Sequence, residues 1–125
     1  MTTPVIWSAA ARQDVLDIVD YFAVEAPMNA AEILDRLQAR AASLDHFPGR
    51  GRITPELHHI GITSIRELTE KPWRIIYEYS GDDSAVLIIG VFDTRRELQA
   101  LLLERLLRLP ADDTDRKTSN PRSPY

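Results

Sequence analysis

The sequence predicts an α+β domain with the element order β-α-α-β-β-β-α. Three observations carry that prediction. A short β-branched and aromatic run, "PVIW", is followed by two segments whose apolar residues recur at three- and four-residue spacing. Three strand-like runs come next, separated by turn-type residues, and a leucine-rich segment at helical spacing follows them. The length, 125 residues, fits one domain. That domain is expected over residues 1–109, with 110–125 as a flexible polar tail.

Residues 4–7 read as the first strand. Ser8 can then cap a helix over 9–25, in which Ala11, Val15, Ile18, Val19 and Phe22 share a face. Pro27 cannot sit in a helix interior but suits a first turn. The second helix carries Ala30, Leu34, Leu37, Ala41 and Leu44. The short connection makes the two antiparallel, so 9–47 is expected to form an αα-hairpin on one face of the sheet. "FPGRGRITPEL" reads as a loop from its Pro and Gly content.

The strand-like runs are 62–68, 73–80 and 84–92, and their short connections imply an antiparallel meander. Trp73, Ile75, Tyr77 and Tyr79 alternate with Arg74, Ile76 and Glu78, so the two sets face opposite sides. The last run is apolar on both alternations, which fits a central strand covered on both faces. Thr94 is placed as the cap of a final helix over 95–109. Its leucine stripe is wider than one packed face needs. The helix can pack on the sheet, pair with a second copy to give a homo-oligomer, or be covered by a partner. Core packing is expected along Leu98, Leu102 and Leu109, with Leu103 and Leu107 facing a partner.

Composition excludes several classes. No apolar run reaches the ~18 residues of a membrane span, and the N-terminus lacks a signal-peptide pattern. Without cysteine there is neither a disulfide nor a thiolate zinc site, which is compatible with a cytoplasmic location. Adjacent His58 and His59 point apart if extended and have no third ligand at suitable spacing, so no metal and no cofactor is expected. Asp14, Asp17 and Asp20 read as a solvated helix side. The net charge of −4 argues against a surface built to hold phosphates. The balance is uneven: residues 1–48 hold Arg12, Arg36 and Arg40 against seven acids, whereas residues 49–109 hold nine of each sign. An arginine-lined surface therefore belongs to the second half.

Five motifs in order give the chain a resemblance to the RelE/ParE superfamily of bacterial type II toxins, on the ParE-like side. They are "W-S-x-x-A-x-x-D-V-L-D-I-V-D-Y", "L-D-H-F-P-G-R-G-R-x-x-P-E-L", "I-R-E-L", "W-R-I-I-Y-E-Y" and "V-F-D-x-R-R", spread over roughly residues 4–97. The resemblance implies neutralisation by a small cognate antitoxin and one of two activities. ParE-like members inhibit DNA gyrase by binding it; RelE-like members cut mRNA in the ribosome. A third outcome is a non-toxic relative that only binds the antitoxin.

Metal-free RNA cleavage needs a base, an acid and cations for the phosphorane charge. On the nuclease reading Arg66 and Arg74 hold the phosphate, and Asp93 or a tyrosine (Tyr77, Tyr79) acts as base. The family pattern often shows His where Asp93 stands. A carboxylate at neutral pH donates protons poorly and repels phosphate. With that departure, the acidic balance and only two lysines (Lys71 and Lys117), the expectation is a toxin that binds its target without chemistry of its own. Target- or antitoxin-facing roles are assigned to Arg50, Arg52, Arg66, Arg74, Arg95, Arg96, Leu103 and Leu107.

Overall fold

The computed structural model describes residues 2–81 and 84–109; the tail expected over 110–125 lies outside them. The elements are β1 (Val5–Trp7), α1 (Ala9–Ala23), α2 (Pro27–Ala42), β2 (Arg52–Ile53), α3 (Pro55–His58), β3 (Ile65–Glu70), β4 (Trp73–Glu78), β5 (Val86–Asp93) and α4 (Gln99–Arg108). The strands form one sheet in the order β1-β5-β4-β3-β2. β2 to β5 pair antiparallel as a meander, and β1 joins β5 in parallel. A parallel pair needs a long crossover, which the helical hairpin and the meander together supply.

Local chemistry explains where the hairpin starts and turns. The Ser8 hydroxyl accepts the Ala11 N–H at 3.1 Å and closes the first turn of α1. α1 ends at Ala23, before the expected boundary, and Pro27 opens α2. The inward stripe of α2 is Ala30, Ile33, Leu37 and Ala41. Ile33 thus takes the position expected of Leu34, which is half-buried, and Leu44 packs from a 3₁₀ turn after the helix.

The sheet separates two apolar clusters. On the hairpin side Trp7, Ala11, Val15 and Leu37 meet Trp73, Ile75 and Tyr77. On the other side Leu57 of α3 and Leu98 and Leu102 beside and within α4 meet Ile76, Ile89 and Phe92. β5 lies between β1 and β4 and is buried from Val86 through Phe92, which is why its sequence is apolar on both alternations. Within it the register passes from Tyr77↔Ile88 to Ile76↔Gly90, so Ile89 is an extra, bulged residue. Gly90 beside it leaves room for a ring: a Cβ there would lie 2.3 Å from Phe92.

Two expectations are corrected. The last helix begins at Gln99, and Arg95 and Arg96 precede it in a turn. The reason is local: the Asp93 carboxylate accepts the Arg95 N–H at 2.8 Å, and its carbonyl accepts the Arg96 N–H at 3.1 Å. Thr94 caps no helix; its N–H donates to the Pro72 carbonyl at 2.8 Å. The segment expected as a plain loop contains β2, which extends the sheet by one edge strand, and the single turn α3.

Candidate functional site

Alternation along β3 and β4 decides which arginines can meet. Glu67 pairs across the sheet with Ile76, and Arg66 with Tyr77. Ile76 belongs to the α4-side cluster and Tyr77 to the hairpin-side cluster, so Arg74 and Glu67 lie on one face and Arg66 on the other. The two arginines proposed from sequence to share a phosphate are therefore separated by the sheet.

Arg74 is buried and fully occupied. Its guanidinium grips both oxygens of Glu56 at 2.7 and 2.8 Å, and Nη2 also reaches Glu67 at 2.6 Å. Glu67, with only 1% of its side chain exposed, accepts from Arg52 Nη2 at 2.7 Å through its other oxygen. Two guanidinium groups thus meet two carboxylates beneath α3, and the cluster is neutral. The Arg74 hydrogen bonds hold Glu56 below the usual carboxylate range, and those carboxylates push Arg74 further up. Neither Glu56 nor Glu67 was singled out as a site residue from sequence. The missing information was the register, which sets Glu67 directly opposite Arg52 and diagonal to Arg74.

On the hairpin side, Arg50 and Arg66 organise the loop 47–52. Arg50 Nη1 donates to the Ser43 carbonyl at 3.0 Å and Nη2 to the Ser43 hydroxyl. Arg66 Nη1 donates to the Gly51 carbonyl at 2.8 Å. The Tyr77 hydroxyl accepts the Gly51 N–H at 3.0 Å and donates to the Pro48 carbonyl at 2.7 Å. Burial raises its pKa, so it is a protonated strut and a poor base at neutral pH.

Asp93 sits at the end of β5, where Arg95 binds it through Nε and Nη2, both at 3.0 Å. Hydrogen bonds from the Arg95 side chain and backbone bring its pKa down to about 2. It is therefore a turn-forming carboxylate with little tendency to take a proton. Arg96 is exposed, with its guanidinium 5.7 Å from the Phe92 ring centre. A cleft of about 600 Å³ opens here between Tyr21, Phe22 and Trp73 and the arginines.

Asp14 departs from the solvated-side expectation. It forms a two-point bridge to Arg105 of α4, both contacts 2.9 Å, and accepts the Val91 N–H at 3.0 Å. Arg105 also donates to the Ile89 carbonyl at 2.9 Å. Of the leucines in and flanking α4, Leu98 and Leu102 are buried, Leu103 and Leu109 are half-buried, and Leu107 is 86% exposed. No group of three or more His, Asp or Glu side chains suited to a metal occurs among the described residues. Nor does any described helix have the length and apolarity to cross a membrane.

A hairpin-backed five-stranded sheet, with Arg52, Arg74 and Arg105 tied to acidic partners, defines a small α+β protein. Its family follows from comparison: residues 5–98 match the family described as ParE toxin of type II toxin–antitoxin system, parDE. The chain belongs to this family and is by that membership a type II toxin. A solved structure described as the chromosomal ParDE toxin–antitoxin system from P. aeruginosa shares its fold, with a TM-score of 0.61 and 18% identity. The alignment covers 74% of this chain and 96% of that one. Among curated proteins none matches the chain.

Proposed function

We propose that this toxin acts by binding and inhibiting a protein target, DNA gyrase, in the cytoplasm, and that a cognate antitoxin neutralises it. The observation that carries the reading is the fate of the arginines. A metal-free nuclease needs uncommitted cations converging on one phosphate with a base beside them. Here Arg66 and Arg74 lie on opposite faces of the sheet, and Arg74 and Arg52 are neutralised by Glu56 and Glu67. Asp93 is held near 2 by Arg95, far from the pKa of an efficient base at neutral pH.

The antitoxin is assigned to the outer face of α4. Leu107 and the open side of Leu103 offer an apolar strip there, and an amphipathic segment laid in a groove is the fitting mode. Arg95 and Arg96 stand exposed before the helix and suit acidic residues of the same partner. The test is a pair of assays on the purified full chain: supercoiling by gyrase and cleavage of mRNA on ribosomes. Inhibited supercoiling with intact mRNA supports the reading. Cleaved mRNA with unaffected gyrase replaces it with the endoribonuclease alternative.

A further inference from the structure

Phe47 is the only described residue other than glycine with a positive φ, 55°. Glycine or asparagine takes the left-handed conformation at little cost, whereas a bulky aromatic is strained in it. Burying the ring would be the ordinary compensation, yet Phe47 is 80% exposed. The segment around it is nevertheless held on both sides. The Arg50 N–H donates to the Phe47 carbonyl at 3.0 Å, while Tyr77 holds Pro48 and Gly51 from below and Arg66 holds Gly51. None of these bonds needs a ring at position 47. The fold thus presents a strained, exposed aromatic on a fixed loop, the arrangement of a preorganised anchor whose return comes on association.

The charge on the groups that hold this loop narrows the partner. Arg50 donates to the Ser43 carbonyl and hydroxyl and Arg66 Nη1 to the Gly51 carbonyl, Arg66 Nε is buried without a hydrogen-bond partner, and neither guanidinium makes an ion pair among the described residues. They leave a local positive spot on a chain of net charge −4. Two such cations, with Asp45 close by in sequence, are few for gripping a phosphate backbone, which favours a protein over a nucleic acid. The loop is held from the hairpin-side cluster through Tyr77, whereas α4 packs on the other cluster. A partner seated on Phe47 therefore leaves the outer face of α4 to the antitoxin.

We infer that Phe47, on the loop that Arg50 and Arg66 hold, is the anchor by which the chain engages its target protein, on a surface that offers an apolar slot for the ring and carboxylates for the guanidinium groups. The inference rests on the reading of the chain as a toxin that acts by binding. Its test is Phe47→Asn in the full chain, because asparagine accepts the left-handed conformation and keeps the loop folded. The variant is expected to melt at the same or a higher temperature than wild type. At equal expression it should lose growth arrest, and at least tenfold more protein should be needed to inhibit supercoiling. Phe47→Tyr, which keeps the ring, should retain both. Unchanged arrest in Phe47→Asn overturns the inference, as does a lowered melting temperature with potency falling only with the folded fraction. Binding of wild type to a single-stranded oligonucleotide that Phe47→Asn abolishes overturns the assignment to a protein. If wild type arrests growth without touching gyrase, the gyrase reading falls and growth arrest alone judges Phe47. Absence of arrest by wild type overturns both.

Discussion

Glu67 concentrates the consequences of the fold in one side chain. It is a buried carboxylate bound to two guanidinium groups, one buried with it and one 65% exposed. Removing the shared carboxylate leaves Arg74 with Glu56 alone, and breaking such a buried pair costs about 3–5 kcal/mol. Removing Arg52 breaks a contact open to solvent, worth under ~1 kcal/mol. Urea denaturation of Glu67→Ala and Arg52→Ala should show that asymmetry, and equal losses would contradict the geometry.

Glu56 supplies the pH dependence. Its folded pKa is depressed by Arg74, so its contribution is present above the unfolded value near 4.5 and is lost as pH falls through the lower folded value. The melting-temperature gap between wild type and Glu56→Gln should be flat from neutrality to about pH 5 and close below that. A gap that widens in acid would invert the sign and reject the pairing. None of this was open to sequence reading. The arginines were visible as candidates, but whether an arginine waits for a phosphate or neutralises a neighbour depends on strand register, and no spacing in the chain reveals that.

The elements were more legible than their partners. Hairpin, meander and final helix follow from periodicity, and the buried central position of β5 follows from its double-sided apolarity. What periodicity misses is how the sheet edge is completed beyond the short β1. It pairs with β5 only as far as Trp7↔Ile88, which leaves the Ile89 carbonyl and the Val91 N–H beyond its end. Asp14 and Arg105 satisfy those two groups and each other, so a side-chain bridge from α1 to α4 continues the work of the missing strand. In sequence the two residues are too distant to be paired by any local rule. A double-mutant cycle of Asp14→Ala and Arg105→Ala should return a coupling of roughly 1.5–3 kcal/mol, the range of hydrogen bonds to charged groups. A coupling near zero would mean that the bridge holds nothing. Gly90→Ala should cost about 1–3 kcal/mol in thermal unfolding, because the added methyl meets the buried Phe92 ring.

At the scale of the molecule, the two faces of the sheet carry different features. Internal ion pairs consume Arg52 and Arg74 on the α4 side, the Phe47 loop is held from the hairpin side, and α4 carries Leu107 outward. Leu107→Glu should therefore weaken antitoxin capture at least tenfold while leaving the melting temperature within a degree or two, because an exposed side chain contributes little to folding. Pull-down against the protein encoded beside the toxin reads this out, and undiminished capture would move the antitoxin elsewhere. The family, and with it a cognate antitoxin, was legible because its motifs recur in order along the chain; the strained and exposed Phe47 was not, since exposure and strain are properties of the folded surface.

The central claim is that the toxin binds and does no chemistry, and a titration against purified gyrase tests it most directly. Inhibition of supercoiling should rise with the ratio of toxin to gyrase, saturate, and stay constant with time of incubation. Loss of substrate that keeps progressing at substoichiometric toxin, above all mRNA cut on ribosomes with many turnovers per molecule, would contradict it.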